Sequence, residues 1–189
     1  MGLDSKSHNT PALIFAMDLP SYISGFVDGE GCFCVSFVPS KRHRLGWEVR
    51  PSFSVSQNGD RAELLYKLLE LWECGFIRPD RSDKTLKYEV RGIGDLTHRV
   101  LPHFDEYPLQ SSKQNDVERF NEICQLVYRK HHLDVDGLEQ IVSLAMDMNP
   151  SGKRKYSGSE ILNSLRSGEG IVCATGHRGT NTKDRKSVV

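Results

Sequence analysis

Residues 23–31, ISGFVDGEG, lie within a longer run from Pro20 to Val38, and their reading decides the fold. Pro20 suits a first helical turn, where its missing N–H costs nothing. Ser21, Gly25 and Gly29 recur every four residues, so a helix here carries a stripe of minimal side chains. Such a stripe lets a second backbone approach closely. Tyr22, Phe26 and Val27 are expected on the other side, anchoring the helix in its own core. Gly29 and Gly31 are expected to end the helix, and the alternation of Phe33, Val35 and Phe37 opens a strand. Glu30 is thereby held at the base of a tightly packed helix, just before the chain turns into a sheet. A carboxylate fixed there is placed to ligate a hard cation. Taken alone, the stretch also describes an ordinary acidic, glycine-rich turn from helix to strand.

The chain of 189 residues is long enough for one domain with a full core. Its 25 basic and 25 acidic residues cancel, so partners must be argued from where the charges lie. Lys41, Arg42, Arg44 and Arg50 fall in one expected hairpin; Arg78, Arg81, Lys84, Lys87 and Arg91 fall in the next. The acids concentrate in expected helices, as at Glu63, Glu70, Glu118, Glu122 and Asp147. A locally basic sheet can meet phosphates while the remote face is acidic. The five cysteines are odd in number and scattered, which favours a reducing, intracellular setting over a disulfide scaffold. Cys32 and Cys34 have no matching second pair, and the seven histidines show no metal-ligand spacing. No apolar run reaches membrane-spanning length, and Met1 to Asp18 lacks the pattern of a signal peptide.

Taken in order, residues 1–17 read as a loosely held arm and 18–166 as the domain. Residues 32–57 form an expected hairpin with a basic loop from Pro39 to Leu45. Its second strand puts Val49, Phe53 and Val55 on one face and Glu48, Arg50, Ser52, Ser54 and Ser56 on the other. Asn58-Gly59 makes a turn, and Asp60 with Glu63 forms a start like a capping box. Leu65, Leu68, Leu69 and Trp72 stripe a helix that Gly75 is expected to end. A second hairpin, about 76–91, sets Lys87, Glu89 and Arg91 opposite Tyr88 and Val90. The pattern is a duplicated αββ unit with only one acidic motif. Beyond Gly94 the chain reads as helical: a short helix around Asp95–Leu101 ending near Pro102, then a long helix capped by Ser111 or Ser112. Two more follow, carrying Leu138 to Met148 and Ile161 to Leu165. The polar, glycine-rich residues 167–189 are expected to be a disordered tail.

The nine residues 23–31 resemble the LAGLIDADG motif of the homing endonucleases. Gly25, Phe26, Val27, Asp28 and Gly31 are in place, and Glu30 stands at the last acidic position. The resemblance continues over roughly residues 18–166. It implies an α+β fold: an αββαββ core with a twisted antiparallel DNA-binding sheet, followed by C-terminal helices. It further implies a site-specific endonuclease that makes a double-strand break in a long pseudo-palindromic target, the reaction of intron homing. Mg2+ would be the cofactor, with Mn2+ as a substitute, held by Glu30 and Gly29. One motif per chain implies a homodimer closed through Ser21, Gly25, Asp28 and Gly29, with Asp28 foremost a structural acid at the helix end. Gln57 matches a residue that positions water, Arg61 a basic residue at the site's periphery, and Lys113 the basic residue entering the long helix. Alignment there shifts by one or two positions, and Ser111 and Ser112 stand where relatives often carry lysine.

A twisted antiparallel sheet can enter the major groove, where donor and acceptor patterns distinguish all base pairs. The outward positions of the first hairpin are Ser36, Ser40, Arg42, Arg44, Glu48, Arg50, Ser52 and Ser54; those of the second are Arg78, Lys87, Glu89 and Arg91. Lys153 and Arg154 suit backbone phosphates. The expected partners are double-stranded DNA and a second copy, with no membrane. The expected location is wherever that DNA lies, in a bacterial cytoplasm or an organelle. Two alternatives share the fold: an RNA-binding intron maturase, and a sequence-specific DNA-binding protein that does not cleave.

Overall fold

The computed structural model describes residues 18–80, 84–150 and 152–167. The expected arm at 1–17 and the tail from residue 168 lie outside the described residues. Helix α1 (Leu19–Glu30) is followed by strands β1 (Gly31–Pro39) and β2 (Trp47–Asn58), then by α2 (Glu63–Trp72), β3 (Phe76–Pro79) and β4 (Thr85–Val90). The four strands form one antiparallel sheet in the order β1-β2-β4-β3. The duplicated αββ pattern is therefore present. Helical chain then covers one face: α3 (Ile93–Asp95), a π turn (Leu96–Val100), α4 (Leu101–Glu106), α5 (Lys113–Tyr128), α6 (Val135–Met146) and α7 (Gly158–Ser167).

The alternation read in the strands sets the sheet's two faces. Phe33, Val35, Phe37, Trp47, Val49, Phe53, Val55, Tyr88 and Val90 are buried against the helices. Phe33 is the hub of an aromatic cluster, 4.9 Å from Phe53 and 5.4 Å from both Phe104 and Phe120 between ring centroids. Truncating such a ring to alanine costs about 3–5 kcal/mol. Pro51 sits within the long β2 without breaking it. Its partner is Val35 in β1, and the pairing of β2 with β4 begins only at Phe53. Its missing N–H therefore falls where β2 has an open edge.

Several local expectations are corrected. The core side of α1 is Ile23, Ser24 and Val27, while Tyr22 is 47% exposed and Phe26 half-buried. The small-residue stripe faces outward, and Tyr22 flanks it. The helix runs through Gly29 to Glu30, and Gly31, at φ −77°, is no left-handed cap. Glycine is required at 31 for space: a Cβ there would meet Val27 Cγ1 at 2.5 Å and Val27 O at 2.6 Å. No capping box starts α2, because a 3-10 turn (Gly59–Arg61) intervenes and Ala62 takes the cap position without a side-chain bond. That helix stops at Trp72 with Glu73 in the left-handed region at φ 47°. Gly75 instead turns the chain into β3 at φ 78°, with Glu89 O 2.7 Å from where its Cβ would be. The helical path also continues through Pro102, which occupies the first turn of α4 after the π turn. Proline lacks the N–H of a continuing ladder, and the wider turn before it absorbs the mismatch.

Candidate functional site

Glu30 ends α1, and Gly31 pairs with Val55 of β2. The register thus brings the acidic helix end beside the C-terminal end of β2, where Gln57 follows Val55 on the same face. Gln57 is half-buried, and Arg61 lies exposed on the following turn beside Asp60 at 4.0 Å. Glu30 is exposed, and among the described residues it has no hydrogen-bond or ion-pair partner. Asp28, two residues earlier, is handled oppositely. Its Oδ2 accepts from the backbone N–H of Ser111 at 2.9 Å and of Gln110 at 3.1 Å, and Oδ1 accepts from the Ser111 hydroxyl. Burial opposes its ionisation, but the hydrogen bonds from Ser111 and Gln110 outweigh that and hold its pKa below the ordinary value.

Lys113 lies in the first turn of α5 and reaches the end of α1. Its Nζ donates to the carbonyls of Asp28 at 2.5 Å, Gly31 at 3.0 Å and Val27 at 3.2 Å, with Gly29 O at 3.5 Å. A cation on the terminal carbonyls satisfies groups the helix leaves open and complements its dipole. Ser112 takes the cap position of α5 without a side-chain bond, and Ser111 Oγ accepts from Lys113 N at 3.1 Å. Ser111 is thus the anchor for Asp28, and Lys113 is the cation beside the acidic helix end. Sequence reasoning missed the Ser111–Asp28 pairing; its only signal was a serine in a place where lysine is common among relatives. It also missed Ser24, whose Oγ donates to Tyr107 O at 2.5 Å and lies 3.2 Å from His103 Nε2. Burial lowers the pKa of His103.

The residues expected at a dimer surface separate into two groups. Ser21, Gly25 and Gly29 are exposed, and a Cβ built at either glycine would meet nothing within 4 Å. Asp28 does not belong with them, because its carboxylate is engaged within its own chain.

The outward sheet face carries the row Cys32–Ser54–Glu89–Phe76, with Cys34 opposite Ser52, Ser36 opposite Arg50, and Lys87 between Ser56 and Arg78. Arg42, Arg50 and Arg91 are exposed; Ser40, Glu48, Ser52, Ser54 and Lys87 are half-buried. Several expected DNA contacts have other engagements. Arg44 donates to Leu133 O at 2.9 Å, and Arg154 donates to Ala145 O near the end of α6 and to Met148 O just beyond it at 2.8 Å. Glu89 is covered and takes Arg78 and Arg91. Lys153 is exposed.

Comparison with known proteins matches the family described as LAGLIDADG endonuclease over residues 23–124, the span from α1 into α5. The chain belongs to the LAGLIDADG endonuclease family. It is 32% identical over 131 residues to "Probable intron-encoded endonuclease 2" of Neurospora crassa, covering 69% of this chain and 29% of that one. Over 151 residues it is 30% identical to "Homing endonuclease I-ApeII" of Aeropyrum pernix, covering 76% of this chain and 88% of that one. Among solved structures, the archaeal intron-encoded homing endonuclease I-Vdi141I complexed with DNA superposes with a TM-score of 0.73 at 26% identity. That match covers 79% of this chain and 96% of that one. The chain spans only 24–29% of the length of the Neurospora and Podospora proteins it matches. No described helix is long and apolar enough to cross a membrane.

Proposed function

We propose that this LAGLIDADG chain is a site-specific, divalent-metal-dependent DNA endonuclease of intron homing, acting as a twofold homodimer. The observation that carries the reading is Glu30. It stands exposed and unpaired among the described residues, while the neighbouring polar groups of α1 are engaged in holding the helix end. The open side of α1 supports the second copy: Gly25 and Gly29 leave room for a backbone, and Tyr22 gives an apolar flank.

Among the described residues no group of three or more His, Cys, Asp or Glu side chains gathers to hold a metal. One chain therefore offers a single carboxylate, and the fit requires two. With a second copy on the α1 side, the paired Glu30 carboxylates and Gly29 carbonyls make an all-oxygen donor set suited to Mg2+ or Mn2+. A bound divalent ion supplies charge neutralisation at phosphate and a more acidic water. The protein's own groups do the rest. Gln57 orients water at the end of β2, Arg61 adds positive charge at the periphery, and Lys113 holds the helix end while placing its ammonium beside the Gly29 carbonyl. The polar sheet face positions the duplex.

The test uses the purified chain, Mg2+ and a pool of random duplexes, followed by sequencing of the cut ends. One discrete double-strand break motif is expected. Glu30→Gln keeps the size but removes the charge, so cleavage should fall by about a thousandfold or more, the scale of several kcal/mol of metal-assisted stabilisation. Binding to the selected duplex should persist. A chain that selects one duplex yet never cuts it with Mg2+ or Mn2+ is a binding protein, and the nuclease reading fails.

A further inference from the structure

The outward sheet face holds two arrangements of arginine with glutamate, and they differ in kind. Glu48 and Arg50 form a single pair within β2 at 2.8 Å, with 33% and 56% of their side chains exposed. Such a surface pair opens at little cost. At the other end of the face, Glu89 is only 7% exposed. Its Oε2 accepts both from Arg78 Nε at 3.0 Å and from Arg91 Nη2 at 2.9 Å. The two arginines themselves remain accessible, at 37% and 61% side-chain exposure. Arg91 Cζ also lies 5.7 Å from the ring centroid of Phe76, the cross-strand partner of Glu89.

This geometry commits one oxygen of a mostly covered carboxylate to two donors, which sets Glu89 apart from the more exposed Glu48. It also leaves a net positive charge, two cations on one anion, and uses only some of the donors that each guanidinium carries. A guanidinium pinned at one nitrogen and stacked on a ring loses less rotamer freedom when it binds a planar acceptor pair. Burial disfavours the charged carboxylate, and the two arginine hydrogen bonds more than offset it, so the pKa of Glu89 is lowered. The clamp is therefore intact at neutral pH.

We propose that Glu89 is a positioning residue for sequence discrimination, fixing Arg78 and Arg91 as a preset pair of forks for base edges in a DNA groove. The inference rests on the reading of this sheet face as the DNA-binding surface. The row Cys32–Ser54–Glu89–Phe76 lies two residues past Glu30 along β1, so the clamp sits at the sheet end nearest the acidic motif.

The test compares wild type with Glu89→Gln in selection from a random duplex pool, then measures affinity for the selected duplex and for random duplex across a salt series. Glu89→Gln releases two mobile cations. The preference for selected over random duplex should fall about tenfold, the low end of one bidentate base contact. Affinity for random duplex should rise, with a salt slope steeper by roughly 0.9 for each added phosphate contact. A merely structural defect would lower both affinities together. In an Arg78→Ala/Arg91→Ala background, Glu89→Gln should no longer change the preference. Should Glu89→Gln fail to fold, Arg91→Lys carries the test. It keeps the charge at an exposed site and loses the fork, so discrimination should fall while random-duplex affinity holds. Unchanged preference in the folded variant overturns the positioning role. A wild-type chain that selects no sequence removes the DNA-reading face and the proposal with it.

Discussion

The two sides of α1 are built on opposite plans. Along the side facing the α4–α5 connection, Ser24 bonds to Tyr107 and meets His103, Asp28 holds the Ser111 turn, and Lys113 closes the last carbonyls. Along the other side, Ser21, Gly25, Gly29 and Glu30 stand exposed, with open space above both glycines. One helix thus carries a side committed to its own chain and a side left for something else. The same residue types, an acid and a small residue, serve both plans. Position around the helix decides which.

Substitutions on the committed side should register in folding, and those on the open side in assembly and cleavage. Gly31→Ala drives a methyl into the Val27 side chain and carbonyl, both under 3.0 Å away. It should cost about 1–3 kcal/mol, read as a lower denaturant midpoint. Asp28→Ala strips acceptors from two backbone N–H groups and a hydroxyl and should cost about 1–2 kcal/mol. Glu30→Gln should move the same midpoint by less than about 0.5 kcal/mol, as expected of an exposed surface site. If Glu30→Gln unfolds the chain as readily as Asp28→Ala does, the division between the two sides is wrong.

Gly25→Leu meets nothing in its own chain, so the monomer should melt almost as wild type. Between two copies the added side chains would overpack, at about 1–3 kcal/mol for a packed contact, and sedimentation should show dissociation. An undisturbed dimer would move the interface off α1. The smallest effect concerns pH. Burial lowers the pKa of His103, and of His132 likewise, so the unfolded chain takes up protons first as pH falls. Stability should decline below about pH 6.5, and His103→Gln should flatten part of that slope. Asp28 and Glu89 have lowered pKa values. Their contribution is present above the ordinary carboxylate range and should disappear only in stronger acid, as pH falls through the lowered values. A stability that rises on acidification from pH 7 would contradict both assignments.

The strands were legible because alternation at period two reports burial directly, as Phe33, Val35 and Phe37 do against Cys32, Cys34 and Ser36. The exposed stripe of Ser21, Gly25 and Gly29 was legible for a similar reason, since four-residue spacing marks one side of a helix. Tyr22 misled because an aromatic ring counts as core by composition, whereas the core side is set by where the sheet lies. Pro102 misled because the residue was read as a stop, while the preceding π turn allows the helical path to continue through it. Glu89, Arg78 and Arg91 were placed on the correct face, but cover is a tertiary property. No local pattern distinguishes a carboxylate clamped by two arginines from one exposed like Glu48.

The β1–β2 hairpin is tied to the C-terminal third of the chain at three points. Arg44 bonds to Leu133 O at 2.9 Å, Phe33 O accepts from Asn149 Nδ2 at 2.7 Å, and Trp47 Nε1 donates to Ser164 Oγ at 2.8 Å. The last of these spans 117 positions of sequence. Contacts between segments so far apart carry a loop-closure cost before they give anything back, which places such folds among the slower ones. During synthesis the longer hairpin emerges early, and its Trp47 end waits for Ser164 of α7 until the chain beyond residue 160 leaves the ribosome. At about 5–20 residues per second, the 117 positions between them take roughly 6 to 23 seconds, during which Trp47 faces solvent or a chaperone instead of α7.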